Sequence, residues 1–174
     1  MLPLFTFDLS QLVFRQMCEA DLPSVLQIQA SAYTCDFQEP LSVFLRKLQL
    51  APDFCWVAQV QGQVVGYLFS HPWHDDLPPA LHTSLDVLPE DASCWFIHDM
   101  AFLPPARGLG LAKRLYAVVC NAVAESNLSK SMLVAMPGVS DFWGRCGYQV
   151  VDKLSPLQQQ KMAQYGGGAT LMWR

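Results

Sequence analysis

WFIHDMAFLPPARGLGLA, residues 95–112, reads as a strand, a turn and the start of a helix. The strand is an apolar run interrupted by His98 and Asp99 and ended by two prolines. The turn contains Arg107, Gly108 and Gly110, and a helical pattern follows at once. The first N–H groups of a helix lack partners, and glycines let a ligand approach the backbone closely. The segment therefore predicts a loop that binds phosphate, with an ordinary glycine turn as the alternative.

Two common phosphate motifs do not fit this loop. A G-x-G-x-x-G/A fingerprint that starts at Gly108 would place Lys113 at its last position, and no early β-α-β unit surrounds it. The P-loop pattern GxxxxGK[ST] does not occur in the sequence. The motif that remains is R-x-x-G-x-A, formed by Arg107, Gly110 and Ala112.

The elements around this loop are predicted from periodicity and turn signals. Strands are expected at 11–17, 54–60, 63–70, 94–103, 131–136, 147–153 and 169–174, and helices from about Asp21, at 41–48, at 108–125 and at 140–146. The order β-α-α-β-β-β-α-β-α-β-β predicts an α/β (α+β) domain. Its mixed, mostly antiparallel sheet would have six to seven strands and helices on both faces. We expect one domain over 1–174, with 1–10 as a peripheral extension, and a functional loop over 71–93.

The loop and the order of elements together resemble the GNAT superfamily of acyl-CoA-dependent N-acetyltransferases. The resemblance covers about residues 13–174 and includes an aromatic-x-x-x-Gly-aromatic element from Trp143 to Tyr148. The stretches YLFSHPW (67–73), IHDMAF (97–102) and DFWGRCGY (141–148) resemble, more weakly, the arylalkylamine N-acetyltransferases.

The resemblance implies a binding site for acetyl-CoA as co-substrate. Backbone groups of Met100, Ala101 and Phe102 would pair with the pantetheine arm, at the point where strand 94–103 parts from strand 131–136. Trp143 is expected beside the cofactor. The pyrophosphate would be held by the backbone N–H groups of Arg107, Gly108, Leu109, Gly110, Leu111 and Ala112.

His98 is the candidate base, because imidazole titrates near neutral pH and can take a proton from an ammonium. It matches a histidine of the arylalkylamine subgroup, whose second histidine is replaced here by Phe96. A hydrogen-bonded core histidine is the alternative. Asp99 is the second candidate base, although strand alternation puts it on the opposite face unless a bulge intervenes.

The general acid is an open question. The superfamily often has a tyrosine where this chain has Trp143, and an indole N–H does not supply a proton usefully. Either no acid is needed, or Tyr148, Cys146, Ser140 or water replaces it, with a core role as the alternative for Tyr148.

The amine would enter between the early helices and the 71–93 loop. Tyr33, Trp73 and His74 are the candidate acceptor-binding residues, with a surface role for Tyr33 and a core role for Trp73 as alternatives. We expect no metal, because His71, His74, Asp75 and Asp76 lack further ligands at standard spacing.

Composition narrows the functional classes. Only 15% of the residues are charged, against about 25% in an ordinary soluble domain, and the net charge is −4. A nucleic-acid partner is therefore not expected, and no apolar run of about 18 to 20 residues predicts a membrane span. The six scattered cysteines favour a reduced, cytoplasmic protein, and the sequence does not decide between a monomer and a homodimer.

Charge is also unevenly distributed. Residues 48–106 contain no Lys or Arg and include seven of the 15 acidic residues. Three basic residues follow close together, at Arg107, Lys113 and Arg114. This pattern predicts a cation-attracting acceptor side and an anion-binding cofactor loop, with solvent-facing acids as the alternative. We expect an enzyme that acetylates the primary amine of a small molecule. The alternatives are a weak or inactive acyl-CoA-binding module and a nucleotide-binding α/β protein.

Overall fold

The computed structural model describes residues 7–74 and 76–174. Seven strands form one sheet in the spatial order β1-β2-β3-β4-β5-β7-β6. The strands are β1 Leu12–Gln16, β2 Cys55–Val60, β3 Gln63–Trp73, β4 Cys94–Phe102, β5 Lys130–Ala135, β6 Gln149–Val150 and β7 Thr170–Trp173. All neighbouring pairs are antiparallel except β4 and β5, which run parallel. The expected mixed, mostly antiparallel sheet is confirmed.

Five α-helices cover the two faces of this sheet. They are α1 Leu22–Ala32, α2 Leu41–Leu50, α3 Leu111–Val123, α4 Ser140–Arg145 and α5 Pro156–Met162. Residues that alternate along β2 separate the faces, because Val57 packs in the core with α1 and α2 whereas Ala58 packs in the core with α3. The helices on both faces were expected from the sequence.

Three expectations about elements are corrected. Residues 71–73 continue β3, so the long connection starts later than predicted. Helix α5 lies between the last two predicted strands, where no helix was predicted; its signal is the capping box of Ser155 and Gln158, with Pro156 in the first turn. Of the expected peripheral segment 1–10, residues 1–6 lie outside the described residues, whereas Phe7 and Leu9 pack against the core.

Candidate active site

Strands β4 and β5 part in the middle of the sheet. They pair over Cys94–Ile97 and Lys130–Leu133, after which β5 pairs with β7 alone and β4 continues beside β3 alone. A cavity of about 420 Å³ lies at this opening, within the usual size range of small-molecule sites. Among the described residues, no strand covers this edge of the β4 backbone beyond Ile97.

The predicted phosphate loop lies at one side of this opening. Gly108 and Gly110 have φ of 78° and 74°, a backbone conformation that residues with a Cβ rarely adopt. The first i→i−4 hydrogen bond of α3 runs from the Arg114 N–H to the Gly110 carbonyl. Within the described ranges, none of the N–H groups of residues 108–113 donates to a protein acceptor. The loop thus presents successive free donors at a helix N-terminus, which suits a pyrophosphate.

The charge of Arg107 suggests that its side chain binds the phosphates, but the guanidinium donates to two protein carbonyls instead. Its Nε donates to the Phe102 carbonyl at 2.9 Å, and its Nη2 donates to the Ser31 carbonyl at 3.2 Å. Its backbone N–H donates to Pro104. The guanidinium therefore ties the cofactor loop to the end of α1.

Several predicted cofactor residues line the cavity. They are Met100, Ala101, Phe102, Arg107, Ala112 and Trp143. Gly108, Leu109 and Gly110 form the exposed turn outside it, and Leu111 is buried beneath the start of α3. These residues fit acetyl-CoA on two observations, the free N–H groups of the loop and the uncovered edge of β4.

His98 lies at a bulge in β4. Phe69 pairs with Asp99 and Ser70 pairs with Ile97, which leaves His98 as the extra residue. Both His98 and Asp99 line the cavity, so the bulge overrides the alternation that would have separated them. Strand alternation predicted opposite faces for these two residues, and the bulge is the exception that the sequence analysis left open.

The carboxylate that binds His98 was missed by the sequence analysis. Glu39, which precedes α2, has its Oε2 2.7 Å from His98 Nε2 and 3.3 Å from Lys47 Nζ. Burial alone would raise the pKa of Glu39, but the charges and hydrogen bonds of His98 and Lys47 outweigh it and lower that pKa to about 2. Glu39 is therefore a buried anion that faces the cavity.

No periodic pattern in the sequence identifies Glu39 as a site residue. A lysine on the buried face of a helix is a signal that could have indicated a buried carboxylate. Lys47 occupies the inner face of α2 and is 1% exposed, and a buried ammonium requires an anionic partner. Helical periodicity places Lys47 on the same buried face of α2 as Phe44 and Leu48.

Asp99 is partly buried, and both of its carboxylate oxygens accept hydrogen bonds. Tyr33 Oη donates to Oδ1 at 2.7 Å, and Tyr67 Oη donates to Oδ2 at 2.6 Å. Burial raises the pKa of Asp99, against the lowering effect of these two hydrogen bonds. Tyr33 also lines the cavity, and its role as an acceptor residue stays a prediction.

Three predicted site residues lie away from the cavity. Tyr148 is 3% exposed, packs on Trp143 and Tyr116 and has its hydroxyl bonded to Ser131, and burial raises its pKa. Trp73 packs in a satellite core and donates to the Leu77 carbonyl. His74 is half-exposed, 3.9 Å from Asp91. Tyr148 and Trp73 thus have the core roles given as their alternatives.

The acids of the lysine- and arginine-free stretch do not collect around the cavity. Asp99 lines it, whereas Asp53, Asp76, Asp86, Glu90 and Asp91 are exposed to solvent; Asp75 lies outside the described residues. The anionic character of the acceptor side comes instead from Glu39, which lies before that stretch. The predicted segregation of charge along the chain is therefore not the origin of the site's polarity.

Among residues 7–74 and 76–174, no group of three His, Cys, Asp or Glu side chains is arranged to hold a metal ion. No helix in the same ranges is long and apolar enough to cross a membrane.

Comparison with known proteins agrees with this geometry. The acetyltransferase (GNAT) family profile matches residues 22–148, so the chain belongs to the acetyltransferase (GNAT) family. It is therefore an acyltransferase, and acetyl-CoA is its co-substrate. No curated protein sequence gives a significant match.

Solved structures support the fold. The chain is similar to the loading GNATL domain of CurA from Lyngbya majuscula, with a TM-score of 0.76 and 13% identity over 93% of this chain and 96% of that one. It resembles the GNAT-like decarboxylase GphF in complex with isobutyryl-CoA, with a TM-score of 0.74 and 14% identity over 93% and 98%. A chain of the NatC complex bound to Gag peptide and CoA aligns with a TM-score of 0.66 and 14% identity over 94% and 97%.

Proposed function

We propose that the protein transfers the acetyl group of acetyl-CoA to the primary amine of a small molecule, by direct attack of the amine on the thioester. The observation that carries this proposal is the cavity itself. One continuous cavity joins Met100, Ala101 and Phe102 on the cofactor side to His98 and Glu39 on the other. An amine held at the second end would face a thioester delivered along β4.

The acceptor end is anionic inside apolar walls. Glu39 stays ionised down to acidic pH, and Asp99 lies beside it in the same lining. Phe37, Leu81 and Tyr165 supply apolar surface around them. A buried negative charge attracts an ammonium group, and apolar walls favour an amine with a compact hydrocarbon or aromatic body over a polyamine.

His98 removes the proton that blocks attack. An alkylammonium titrates near 10.4, so at neutral pH it must transfer a proton to a base before its nitrogen becomes nucleophilic. Acetyl-CoA supplies the acetyl group as an activated thioester. The amine nitrogen then bonds to the acetyl carbon, the carbon–sulfur bond breaks, and the amine's second proton leaves with the sulfur as the thiol.

No protein acid is needed for departure of the thiol. A thiol with a pKa near 8.5 is a good leaving group without prior protonation. Tyr33 and Tyr165 line the cavity, but their hydroxyls already donate to Asp99 and to the Pro79 carbonyl. Trp143 at the usual acid position is therefore compatible with turnover.

A thiol-release assay over a panel of amines tests the proposal. The panel contains arylalkylamines, alkylamines, polyamines and peptides with free N-termini, with acetyl-CoA and isobutyryl-CoA as donors. We expect the highest kcat/KM for a compact monoamine and acetyl-CoA. A peptide preferred by tenfold or more would contradict the small-molecule acceptor.

The alternative is an acyl-CoA-binding module with little turnover. Thermal shift with CoA, acetyl-CoA and ATP separates binding from catalysis, because a module of this kind would be stabilised by both CoA compounds and release no thiol with any amine. We also propose a cytoplasmic location, supported by six cysteines that form no disulfide. A homodimer stays a prediction for light scattering to test.

A further inference from the structure

Hydrogen bonds fix both the backbone and the side chain of Glu39, unlike those of an exposed surface carboxylate. Its backbone N–H donates to Gln29 Oε1 at 2.8 Å, and Gln29 Nε2 donates to its carbonyl at 3.0 Å. Gln29 is itself 2% exposed on the inner face of α1. A buried amide thus clamps both backbone groups of Glu39, much as a neighbouring strand would.

The Glu39 carboxylate is fixed as well. Oε2 accepts from Lys47 Nζ and His98 Nε2, and Oε1 accepts from the His82 N–H at 3.3 Å. The carboxylate therefore contacts α2, β4 and the connection between β3 and β4. Glu39 and Lys47 have side chains that are 3% and 2% exposed, so solvent does not loosen the pair.

An ionised carboxylate accepts hydrogen bonds and donates none. The 2.7 Å contact therefore requires the proton of neutral His98 to reside on Nε2. Nδ1 is then the nitrogen with a lone pair. It is buried, belongs to a ring that lines the cavity, and has no hydrogen-bond partner among the described residues.

We propose that Glu39 is a positioning residue that fixes His98 with its proton on Nε2, which leaves Nδ1 as the ring nitrogen that can accept a proton during the reaction. The inference rests on the proposed function for the role of Nδ1, but the tautomer itself does not depend on it. Lys47 is the counter-ion that keeps Glu39 anionic.

The ionisable groups around the ring are consistent with this arrangement. They are His71 and Tyr67 of β3, Asp99 of β4, Tyr33 after α1, Lys47 of α2 and Glu39 itself. Burial lowers the pKa of His71 to about 3, so that ring stays neutral, and its centroid is 6.4 Å from that of His98. Glu39 is the group among these that bonds to the His98 ring.

His71 provides an internal reference of the opposite tautomer. Its Nδ1 lies 3.0 Å from the Pro72 carbonyl, which can only accept, so the proton resides on Nδ1. Long-range proton–nitrogen NMR of histidine-labelled protein, at a pH where the rings are neutral, distinguishes the two forms. We expect Nε2–H for His98 and Nδ1–H for His71 in the wild-type chain. A wild-type His98 with its proton on Nδ1 would overturn the proposal even if the enzyme acetylates amines.

Kinetics of Glu39→Gln test the consequence for catalysis. The carboxamide can donate as well as accept, so the tautomer is no longer fixed. We expect kcat/KM for the amine to fall at least about tenfold, as when a catalytic histidine loses the group that orients it, with KM for acetyl-CoA unchanged. We also expect the ascending limb of kcat/KM against pH to move to lower pH, because the imidazolium has lost its anionic partner. Glu39→Asp keeps the charge and should restore Nε2–H and part of the activity.

The matched control is Asp21→Asn. It makes the same change in the Arg15–Asp21 ion pair, whose carboxylate side chain is 7% exposed and lies outside the cavity. We expect this variant to keep the His98 tautomer, the pH profile and kcat/KM. If Glu39→Gln keeps the wild-type tautomer and kcat/KM within twofold, Glu39 has only a structural role. Should Glu39→Gln not fold, the wild-type NMR and the Glu39→Asp profile decide the question.

Discussion

The two ends of the cavity are built in different ways. The cofactor end is a continuous segment, Met100 to Ala112, in which backbone groups do the binding and glycines set the geometry. The acceptor end is assembled from side chains that follow α1, precede α2 and lie on β3 and β4, and hydrogen bonds between distant residues hold them. A site made of backbone can be recognised as a short motif. A site made of side chains depends on the whole fold, and each substitution there should affect a different property.

Replacing His98 should break the acceptor end alone and give the largest effect. We expect His98→Ala to lower kcat/KM for the amine by about 100- to 10,000-fold, the usual contribution of a positioned general base. The Kd for CoA should stay within twofold, because the loop at 107–112 keeps its N–H groups. Isothermal titration and thiol-release kinetics measure the two quantities. His74→Ala is the control, since that half-exposed ring lies outside the cavity; equal losses in both variants would contradict the assignment.

Acid unfolding should reveal the buried anion of the acceptor end. The pKa of Glu39 falls from its ordinary 4.5 to about 2 in the folded protein, so its contribution is complete above pH 4.5 and is lost as the pH falls towards 2. The shift corresponds to about 3 kcal/mol. We expect Glu39→Gln to flatten the fall in free energy of unfolding across this window, as measured by urea titration.

The control for acid unfolding is Glu125→Gln, which removes an exposed carboxylate. Its pH dependence of unfolding should follow that of the wild-type chain. A Glu39→Gln variant with the wild-type slope would mean that the pKa of Glu39 is the same in the folded and the unfolded chain, and therefore that the fold does not lower it.

The cofactor end should respond to the backbone instead. Gly110 has φ of 74°, and a Cβ added there would meet no atom within 4 Å. Gly110→Ala therefore introduces backbone strain without a clash, at a cost of about 1 to 2 kcal/mol. Because relief of this strain changes the conformation of the loop, we expect the Kd for CoA to rise about 5- to 30-fold. The preference among amines should stay unchanged.

Gly167→Ala is the matched control for the loop glycine. It also meets no atom within 4 Å, but its φ is not in the left-handed region. Thermal unfolding and CoA titration of both variants separate the loss of a glycine from the loss of the loop conformation. Equal effects in the two variants would mean that the positive φ at Gly110 is not needed for binding.

The same difference explains what could be predicted from the sequence. Strand β4, the turn at Gly108 and Gly110 and the start of α3 are contiguous, so local patterns predicted them as a phosphate-binding loop. The resemblance to the GNAT superfamily then implied the cofactor. The bulge at His98 could be anticipated only as a condition, because it depends on the pairing with β3. Glu39 reaches His98 across 59 positions of sequence, and no spacing rule connects them. The side-chain chemistry of Trp73 and Tyr148 is compatible with acceptor binding and acid catalysis, but their contacts place them in the core.

Trp143 tests whether side-chain chemistry is needed at the cofactor end, and here we expect the smallest effect. Its ring is 7% exposed and packs edge-to-face on Phe142, Tyr116 and Tyr148, so its size matters more than its N–H. We expect Trp143→Tyr to change kcat by less than about threefold, because a thiolate departs without an acid, and to lower Tm through looser packing. Trp173→Tyr, at a half-exposed ring outside the main cavity, controls for the loss of an indole.

A tenfold gain in kcat with Trp143→Tyr would mean that protonation of the leaving thiolate limits turnover. The cofactor end would then need a side-chain proton donor as well as backbone donors, and the contrast between the two ends would fail.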